Sequence, residues 1–115
     1  MSVRRGVSLV EVLVAAVLLA VGVAGALSAL VGAARLRAGA LLREALADRA
    51  DARLSWFEGA ACSAPDSLIR SDGAPIEERW RLTRDSSGAS LAGEARGTLG
   101  TRTLRSALVA RVECP

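Results

Sequence analysis

Few side chains in this sequence are placed to do chemistry, and the most unusual of them is the carboxylate of Glu11. It stands inside an apolar run over residues 7–34, in which Ser8 and Ser28 are the only other polar side chains. A charged carboxylate near the centre of a bilayer costs about 2.5 kcal/mol or more. Glu11 must therefore reach the headgroup region, take up a proton, or find a positively charged partner.

The two cysteines, Cys62 and Cys114, are too far apart in the sequence to form a CxxC metal-binding or redox motif. A disulfide between them requires an oxidising compartment, which an exported domain would occupy. Two free thiols are the alternative that the sequence leaves open.

The remaining composition argues against an enzyme. The chain has no His, which removes the commonest general base and metal ligand. No segment carries a nucleotide-binding loop, a nucleophile elbow or paired carboxylates placed for hydrolysis. Asp66, Asp72 and Asp85 are too scattered to supply the roughly six to eight oxygens that Ca²⁺ prefers. We therefore expect no catalytic residue, no cofactor and no metal.

The net charge of +3 does not by itself indicate a nucleic-acid partner. The basic residues are all Arg and alternate with acidic residues along most of the chain, and the longest basic run is Arg4-Arg5. We interpret these charges as a solvated surface and do not expect binding to nucleic acid.

The apolar run predicts a helix that crosses a membrane. At 1.5 Å per residue, residues 7–34 would extend roughly 42 Å, and a bilayer core is about 30 Å thick. A secretory signal peptide has a shorter apolar stretch that ends at a small-x-small site, and Ala24-Gly25-Ala26 would serve as one. Because the run continues past that site and contains Glu11, we favour a retained membrane helix.

The string RRGVSLVEVLVAAVLLAVGVAG, which begins at Arg4, resembles the N-terminal signature of type IV pilins and type II secretion pseudopilins. In that family a short basic leader ends in Gly, a prepilin peptidase cuts after it and methylates the new N-terminus, and a Glu stands fifth after the cut. The resemblance implies cleavage between Gly6 and Val7, N-methylation of Val7 and an assembly role for Glu11. The sequence departs from the common pattern at Val7, where an aromatic residue is usual, and at Ser8, where Thr is frequent.

The spacing of Val7 and Glu11 also has a physical meaning. Cleavage would give Val7 an ammonium group, and the Glu11 carboxylate of a neighbouring subunit would neutralise it inside an apolar filament core. An opposite charge within about 4–6 Å favours the ionised carboxylate. Because the pair would join two chains, it would set the axial register of assembly.

The apolar periodicity after the run predicts an amphipathic helix. Apolar residues recur at three- and four-residue intervals at Leu42, Leu46, Ala50, Leu54 and Phe57. The opposite positions are acidic and arginines flank them, at Glu44, Asp48 and Asp51 and at Arg43, Arg49 and Arg53. We expect one continuous helix over residues 7–57; the alternative is a membrane anchor separated from a second helix at Gly32 or Gly39.

Gly22, Gly25 and Gly32 allow either close helix packing or local helix weakness.

The rest of the chain predicts a small β-rich head. Apolar and polar residues alternate in three segments, with a turn signal at residues 85–88. The strands are expected over residues 76–84, 89–96 and 102–112. We predict an antiparallel meander with one face on the apolar stripe of the helix and Trp80 between them. A Cys62–Cys114 bridge would stabilise this small head by roughly 4 kcal/mol.

The predicted fold class is therefore α+β, with a long N-terminal helix packed on a small antiparallel sheet as in pilins. The helix has a membrane-spanning half and an amphipathic, periplasmic half. The predicted segments are the leader peptide at residues 1–6, the membrane and filament-core helix at 7–34, the amphipathic half at 35–58 and the head at 59–115.

The resemblance implies a structural minor subunit of a type IV pilus or a type II secretion pseudopilus. Its expected partners are other pilin or pseudopilin subunits, the prepilin peptidase and the inner-membrane assembly platform. We expect a single-pass protein of the bacterial inner membrane with its head in the periplasm, and a place in a filament after assembly. A DNA-binding module of a competence system and a plain single-pass membrane protein are the alternatives.

Overall fold

A computed structural model describes residues 6–115 of the chain. It contains one α-helix, α1 (Leu9–Ala60), followed by four strands, β1 (Ser67–Ser71), β2 (Ile76–Asp85), β3 (Gly88–Leu99) and β4 (Arg102–Glu113). The strands form one antiparallel sheet in the order β1-β2-β3-β4. The predicted fold class, α+β with a long N-terminal helix and an antiparallel sheet, is confirmed.

Helix α1 continues without interruption through Gly22, Gly25, Gly32, Gly39 and Gly59. A glycine in a helix costs about 1 kcal/mol relative to alanine, and the Ala, Leu, Arg and Glu residues around these positions are strong helix formers. The predicted continuous helix is therefore confirmed, and the alternative division at Gly32 or Gly39 was wrong.

The described chain divides into two compact units, one that ends at Arg37 and one that comprises Ala38–Pro115. In the first unit every residue from Gly6 to Arg37 is exposed, including the large apolar side chains of the helix. This surface is long and apolar enough to cross a membrane. A helix that is apolar on all sides needs lipid or other protein chains around it.

The second unit has its own hydrophobic core, formed by the helix and the inner face of the sheet. The helix contributes Leu46, Ala50, Phe57 and the adjacent Ala61, and the sheet contributes Ile76, Trp80, Leu82, Ala89, Leu91 and Ala95. Trp80 and Phe57 are the two largest fully buried side chains. Trp80 therefore lies between the helix and the sheet, as the sequence predicted.

Gly93 makes room for Trp80. The two residues are direct partners in the pairing of β2 with β3. A Cβ atom on residue 93 would lie only 2.8 Å from the indole ring and closer still to the carbonyl oxygen of Arg79. A larger residue at this position would force the ring or the strand to move.

Strand β1 was not predicted, so the expectation of three strands was wrong. β1 has only five residues, and Ile69 is its one apolar side chain that packs against the core. Such a short edge strand gives too few alternating positions to distinguish it from a loop. The other three strands lie where they were predicted, and each extends one to four residues further than the alternation indicated.

Asp85 and Gly100 shape the two tight turns of the sheet. At the β2–β3 turn the Asp85 Oδ1 atom accepts the backbone N–H groups of Ser87 and Gly88, both at 2.9 Å, and the Ser87 hydroxyl at 2.8 Å. These bonds and the nearby Arg111 guanidinium lower the pKa of Asp85 to about 2. At the β3–β4 turn Gly100 has a φ of 61°, which the first central residue of a type II′ turn requires.

Arg84 binds the C-terminal end of α1. Its Nη2 atom donates to the carbonyl oxygens of Ala61 (3.0 Å) and Ala64 (2.7 Å), and its backbone N–H donates to the Asp66 carboxylate at 2.7 Å. The last turn of α1 has no basic residue of its own. Arg84 thus supplies the positive charge that the helix dipole favours at this end.

Glu78 is buried in the core with only 3 % of its surface exposed. Its carboxylate accepts hydrogen bonds from Arg49 Nη1 (3.3 Å), Arg53 Nε (3.4 Å) and the Trp80 indole N–H (3.3 Å). Because Arg49 and Arg53 are one helical turn apart, both guanidinium groups reach the same carboxylate. This cluster of Glu78, Arg49 and Arg53 joins β2 to the helix.

The net effect of this environment is a lowered pKa of Glu78. Burial acts to raise it, but the hydrogen bonds from Arg53 and Trp80 and the charges of Arg53 and Arg49 outweigh burial, and the pKa lies below its ordinary value of 4.5. A carboxyl group whose pKa is lowered by folding stabilises the folded state above its ordinary pKa. That contribution is lost as the pH falls through the lowered pKa.

We expect Glu78→Gln to lower the free energy of unfolding at pH 7 by about 1.5–3 kcal/mol, because charge-assisted hydrogen bonds are lost and Arg53 stays half-buried without a counter-ion. Tryptophan fluorescence during urea unfolding of the full chain in detergent micelles measures this. The difference from wild type should shrink as the pH falls through the Glu78 pKa.

The matched control is Glu77→Gln, at the exposed neighbouring position of β2. We expect it to change the free energy of unfolding by less than about 0.5 kcal/mol. Equal effects of the two variants at pH 7 would contradict a stabilising role for the Glu78 cluster.

Candidate processing and assembly site

The residues predicted to be processed lie immediately before α1. Gly6, Val7 and Ser8 are outside the helix and exposed, and Val7 is 72 % exposed. Nothing lies within 4 Å of the position that a Gly6 Cβ would occupy. An exposed, non-helical backbone is the form of chain that a peptidase can bind and cut.

Ser8 is the N-cap residue of α1. Its carbonyl oxygen accepts the N–H groups of Glu11 (3.0 Å) and Val12 (3.2 Å), and its Oγ atom accepts the N–H of Val10 at 3.2 Å. A hydroxyl at this position satisfies a donor that the helix itself cannot, and Ser and Thr both do so. The helix therefore begins at Leu9 rather than at Val7.

This cap was missed at the sequence level, where Ser8 counted only as a departure from the family pattern. The signal for it is the spacing of Ser8 and Glu11, because a Ser or Thr followed three residues later by Glu is typical of a helix start. Ser and Thr both carry the hydroxyl group that caps a helix, so Ser8 preserves the local structure that a Thr at this position would give.

Glu11 lies in the first turn of α1, where the helix dipole favours a negative charge. The salt bridges of the described residues all lie in the second unit, so within residues 6–115 Glu11 has no ionic partner. Val7 and Glu11 stand on either side of the Ser8 cap, at the same end of the helix. Their predicted pairing is a contact between two chains, and it stays a prediction.

The other polar side chain in the apolar part of the helix is satisfied locally. The Ser28 hydroxyl donates to the carbonyl oxygen of Gly25 at 2.8 Å, a common arrangement for serine in apolar helices. Of the two polar side chains between Leu9 and Ala34, Ser28 has a hydrogen-bond partner within the helix and Glu11 has none.

The comparison with protein families adds one finding at this end of the chain. The model of the family described as the prokaryotic N-terminal methylation motif matches residues 1–27, a span that includes Gly6, Val7 and Glu11. The long N-terminal helix and the antiparallel sheet agree with it. The chain fits a type IV pilin-like protein.

For a pilin-like protein the matched motif indicates a structural role and processing by a prepilin peptidase. The motif and the apolar first part of α1 fit an anchor in the inner membrane. The comparisons with curated proteins and with solved structures gave no match.

The glycines in the apolar part of the helix make no close packing contact within residues 6–115. A Cβ atom at Gly22, Gly25 or Gly32 would meet nothing within 4 Å. Because the helix is continuous through them, they leave shallow places on its surface where another helix can approach closely.

The cysteines of the second unit form a disulfide between Cys62 and Cys114, with their Cα atoms 5.5 Å apart and a sequence separation of 52 residues. Cys62 follows the end of α1 by two residues, and Cys114 directly follows β4. The bond thus ties the end of the helix to the end of the last strand. Within residues 6–115 no group of three or more His, Cys, Asp or Glu side chains is placed to hold a metal ion.

We expect the double variant Cys62→Ala/Cys114→Ala to lower the free energy of unfolding by roughly 4 kcal/mol, because its unfolded chain is no longer closed into a loop of about 50 residues. Urea unfolding of the full chain in detergent micelles measures the loss. A reductant should produce the same loss in the wild-type protein and no change in the double variant. Unchanged unfolding of the double variant would show that the bond does not stabilise the head.

Proposed function

We propose that this protein is a structural, minor subunit of a type IV pilus or a type II secretion pseudopilus. A prepilin peptidase cuts it between Gly6 and Val7 and methylates Val7, and the subunit then assembles through the apolar part of α1. The observation that carries the proposal is the position of Glu11 in the first turn of an exposed apolar helix, inside the matched methylation motif.

The chemistry of processing changes the charge of this end of the chain. Hydrolysis of the peptide bond between Gly6 and Val7 leaves a carboxylate on Gly6 and an amine on Val7, and the amine is largely protonated at neutral pH. Methylation retains its charge. Removal of the leader also removes the two charged side chains of Arg4 and Arg5, which lowers the formal net charge from +3 to +1.

The charges of the leader explain why cleavage comes before assembly. Arg residues before an apolar helix hold that end on the cytoplasmic side of the membrane. The same two charges would be costly inside a filament made of apolar helices, where no water is present to solvate them. Cleavage therefore converts a chain suited to the bilayer into one suited to the filament.

The new Val7 ammonium group and the Glu11 carboxylate each need a partner of opposite charge in that apolar interior. A neighbouring subunit supplies both, since each chain presents one amine and one carboxylate at the capped end of its helix. Leaving one member of a buried pair without the other is strongly unfavourable. The axial step between subunits is thus the one that brings Val7 of one chain to Glu11 of the next.

The rest of the first unit supplies the attraction between subunits. All its described residues are exposed, and their side chains are mostly Val, Leu and Ala. Lipid surrounds this surface before assembly, and helices of other subunits cover it afterwards. Gly22, Gly25 and Gly32 allow these helices to approach one another closely.

The second unit lies on the periplasmic side in this proposal. Its disulfide agrees with that compartment, because disulfides form and persist in the oxidising bacterial periplasm. Its packed core allows it to fold on that side, outside the membrane.

We expect Glu11→Ala to be inserted and cleaved normally but to reduce incorporation into filaments roughly tenfold or more, because the Val7 ammonium group is left without a partner. Mass spectrometry of the N-terminus measures cleavage and methylation, and the amount of the protein in sheared or purified filaments measures incorporation. Glu113→Ala, which removes an exposed carboxylate in the head, is the matched control. Normal incorporation of Glu11→Ala would contradict the pairing.

We expect Gly6→Leu to block cleavage, because a bulky residue replaces the last residue of the leader. In cells with an active prepilin peptidase, the wild-type chain should begin at a methylated Val7 and the variant at Met1. A wild-type chain that begins at Met1, or beyond the apolar run, would overturn the proposed function.

A further inference from the structure

The solvent-facing side of α1 in the second unit carries four acids along one face, with Ser55 between the third and the fourth. We define the acidic stripe as Glu44, Asp48, Asp51 and Glu58, all of which are exposed. At about 100° per residue they fall within roughly a quarter of the helix circumference, opposite the buried core positions. The three arginines of this part of the helix point elsewhere, and two of them bind Glu78.

The acidic stripe is unfavourable for the isolated helix. Glu44, Asp48 and Asp51 lie three or four residues apart, a spacing at which like charges repel, and Glu58 follows two turns after Asp51. Glu58 also stands in the last turn, where the helix dipole disfavours a negative charge. Among the described residues, no salt bridge involves any of the four acids. Helix stability therefore does not explain them.

The outer face of the sheet is rich in exposed arginines, with Glu77 and Glu94 among them. We define the arginine face as Arg70 on β1, Arg79 and Arg81 on β2, and Arg105 on β4, all exposed. Arg70 and Arg79 are direct cross-strand partners, an unfavourable pairing of like charges. Glu94, which stands opposite Arg79 on β3, is already bound to Arg96.

The arginine face also has an apolar centre. The register places Leu68, Arg81, Ala92 and Val109 in one row across the four strands. Leu68 is 48 % exposed and Val109 is 80 % exposed, so both apolar side chains remain available for contact. Within residues 6–115 none of the four arginines of this face forms a salt bridge.

The two surfaces match in length. From Arg70 to Arg105 the arginine face extends roughly 16 Å, from a strand spacing of about 4.8 Å and a rise of about 3.3 Å per residue. Eleven residues of helix cover about the same distance. Three of the four acids, from Asp48 to Glu58, therefore fit across the face at once.

We propose that the arginine face binds the acidic stripe of a second copy of this chain. Each copy carries one surface of each kind, so the contact is heterologous and can repeat from one copy to the next. It rests on the proposed function and adds that the subunit enters the filament in at least two adjacent copies. Each exposed ion pair is weak, and the contact becomes effective when the apolar helices already hold the copies together.

A second copy explains more of the structure than a nucleic acid does. Phosphates would bind the arginine face, but they would leave the acidic stripe without a role. A second copy satisfies the unpaired charges of both surfaces.

The test uses two full-length copies with different tags, expressed together in cells that contain a prepilin peptidase. The first copy carries the photo-crosslinking residue p-benzoylphenylalanine in place of Ala92, at the centre of the arginine face. The second carries no such residue. After irradiation we expect a product that contains both tags, and mass spectrometry should place the crosslink within residues 44–58 of the second copy.

Charge-reversal variants test whether the crosslink depends on the pairing of the two surfaces. Asp48→Arg with Asp51→Arg in the second copy should lower the crosslink yield at least fivefold, and so should Arg79→Glu with Arg81→Glu in the first. The two altered copies together should recover at least half of the wild-type yield, which also shows that both still fold. Arg43→Glu with Arg102→Glu in the first copy changes the charge equally, away from the arginine face, and should leave the yield unchanged.

The proposal is overturned by crosslinks elsewhere on the second copy, by crosslinks to another protein or a nucleic acid alone, or by reversed copies that do not recover the yield. N-terminal mass spectrometry of the same samples separates this failure from a failure of the proposed function. Chains that begin at Val7 but do not crosslink reject the contact alone. Chains that begin at Met1 reject both proposals.

Discussion

The carboxylate of Glu11 constrains the rest of this pilin-like protein, because it stands one turn into a helix whose surface is otherwise apolar up to Ala34. The Ser8 cap fixes the start of the helix, and with it the positions of Val7 and Glu11 at one end. Ser28 satisfies its hydroxyl within the helix, but a carboxylate cannot do so. In the proposed assembly, the charged partner that Glu11 lacks comes from a neighbouring subunit.

In the head, a carboxylate finds all its hydrogen-bond partners within the chain. Glu78 is also a carboxylate in apolar surroundings, and Arg49, Arg53 and Trp80 supply its hydrogen bonds from within the fold. Buried Glu78 therefore fixes the sheet on its helix, whereas exposed Glu11 has no ionic partner within residues 6–115. The difference follows from the helix, which offers guanidinium groups beside the head and no cationic side chain from Val7 to Ala34 around Glu11.

Long, regular patterns made much of the fold predictable from the sequence. Alternation over β2 and β4 and the three- and four-residue spacing in α1 located the core and Trp80. β1 has only five residues, too few for a clear alternation. The burial of Glu78 was not predicted, because a charged side chain is expected at the surface even at a position that the alternation assigns to the core. The processing site was predicted from its motif, but the Ser8 cap was overlooked. Cysteine pairing depended on the compartment, which no spacing can reveal.

The disulfide changes which part of the head would carry tension. All four strands lie between Cys62 and Cys114, inside a covalently closed loop. A pull between α1 and the last residue passes through the sulfur atoms and bypasses the sheet. Such a pull would therefore not unzip β2 from β3, and the hydrogen bonds of the strands would stay unloaded while force reaches the helix.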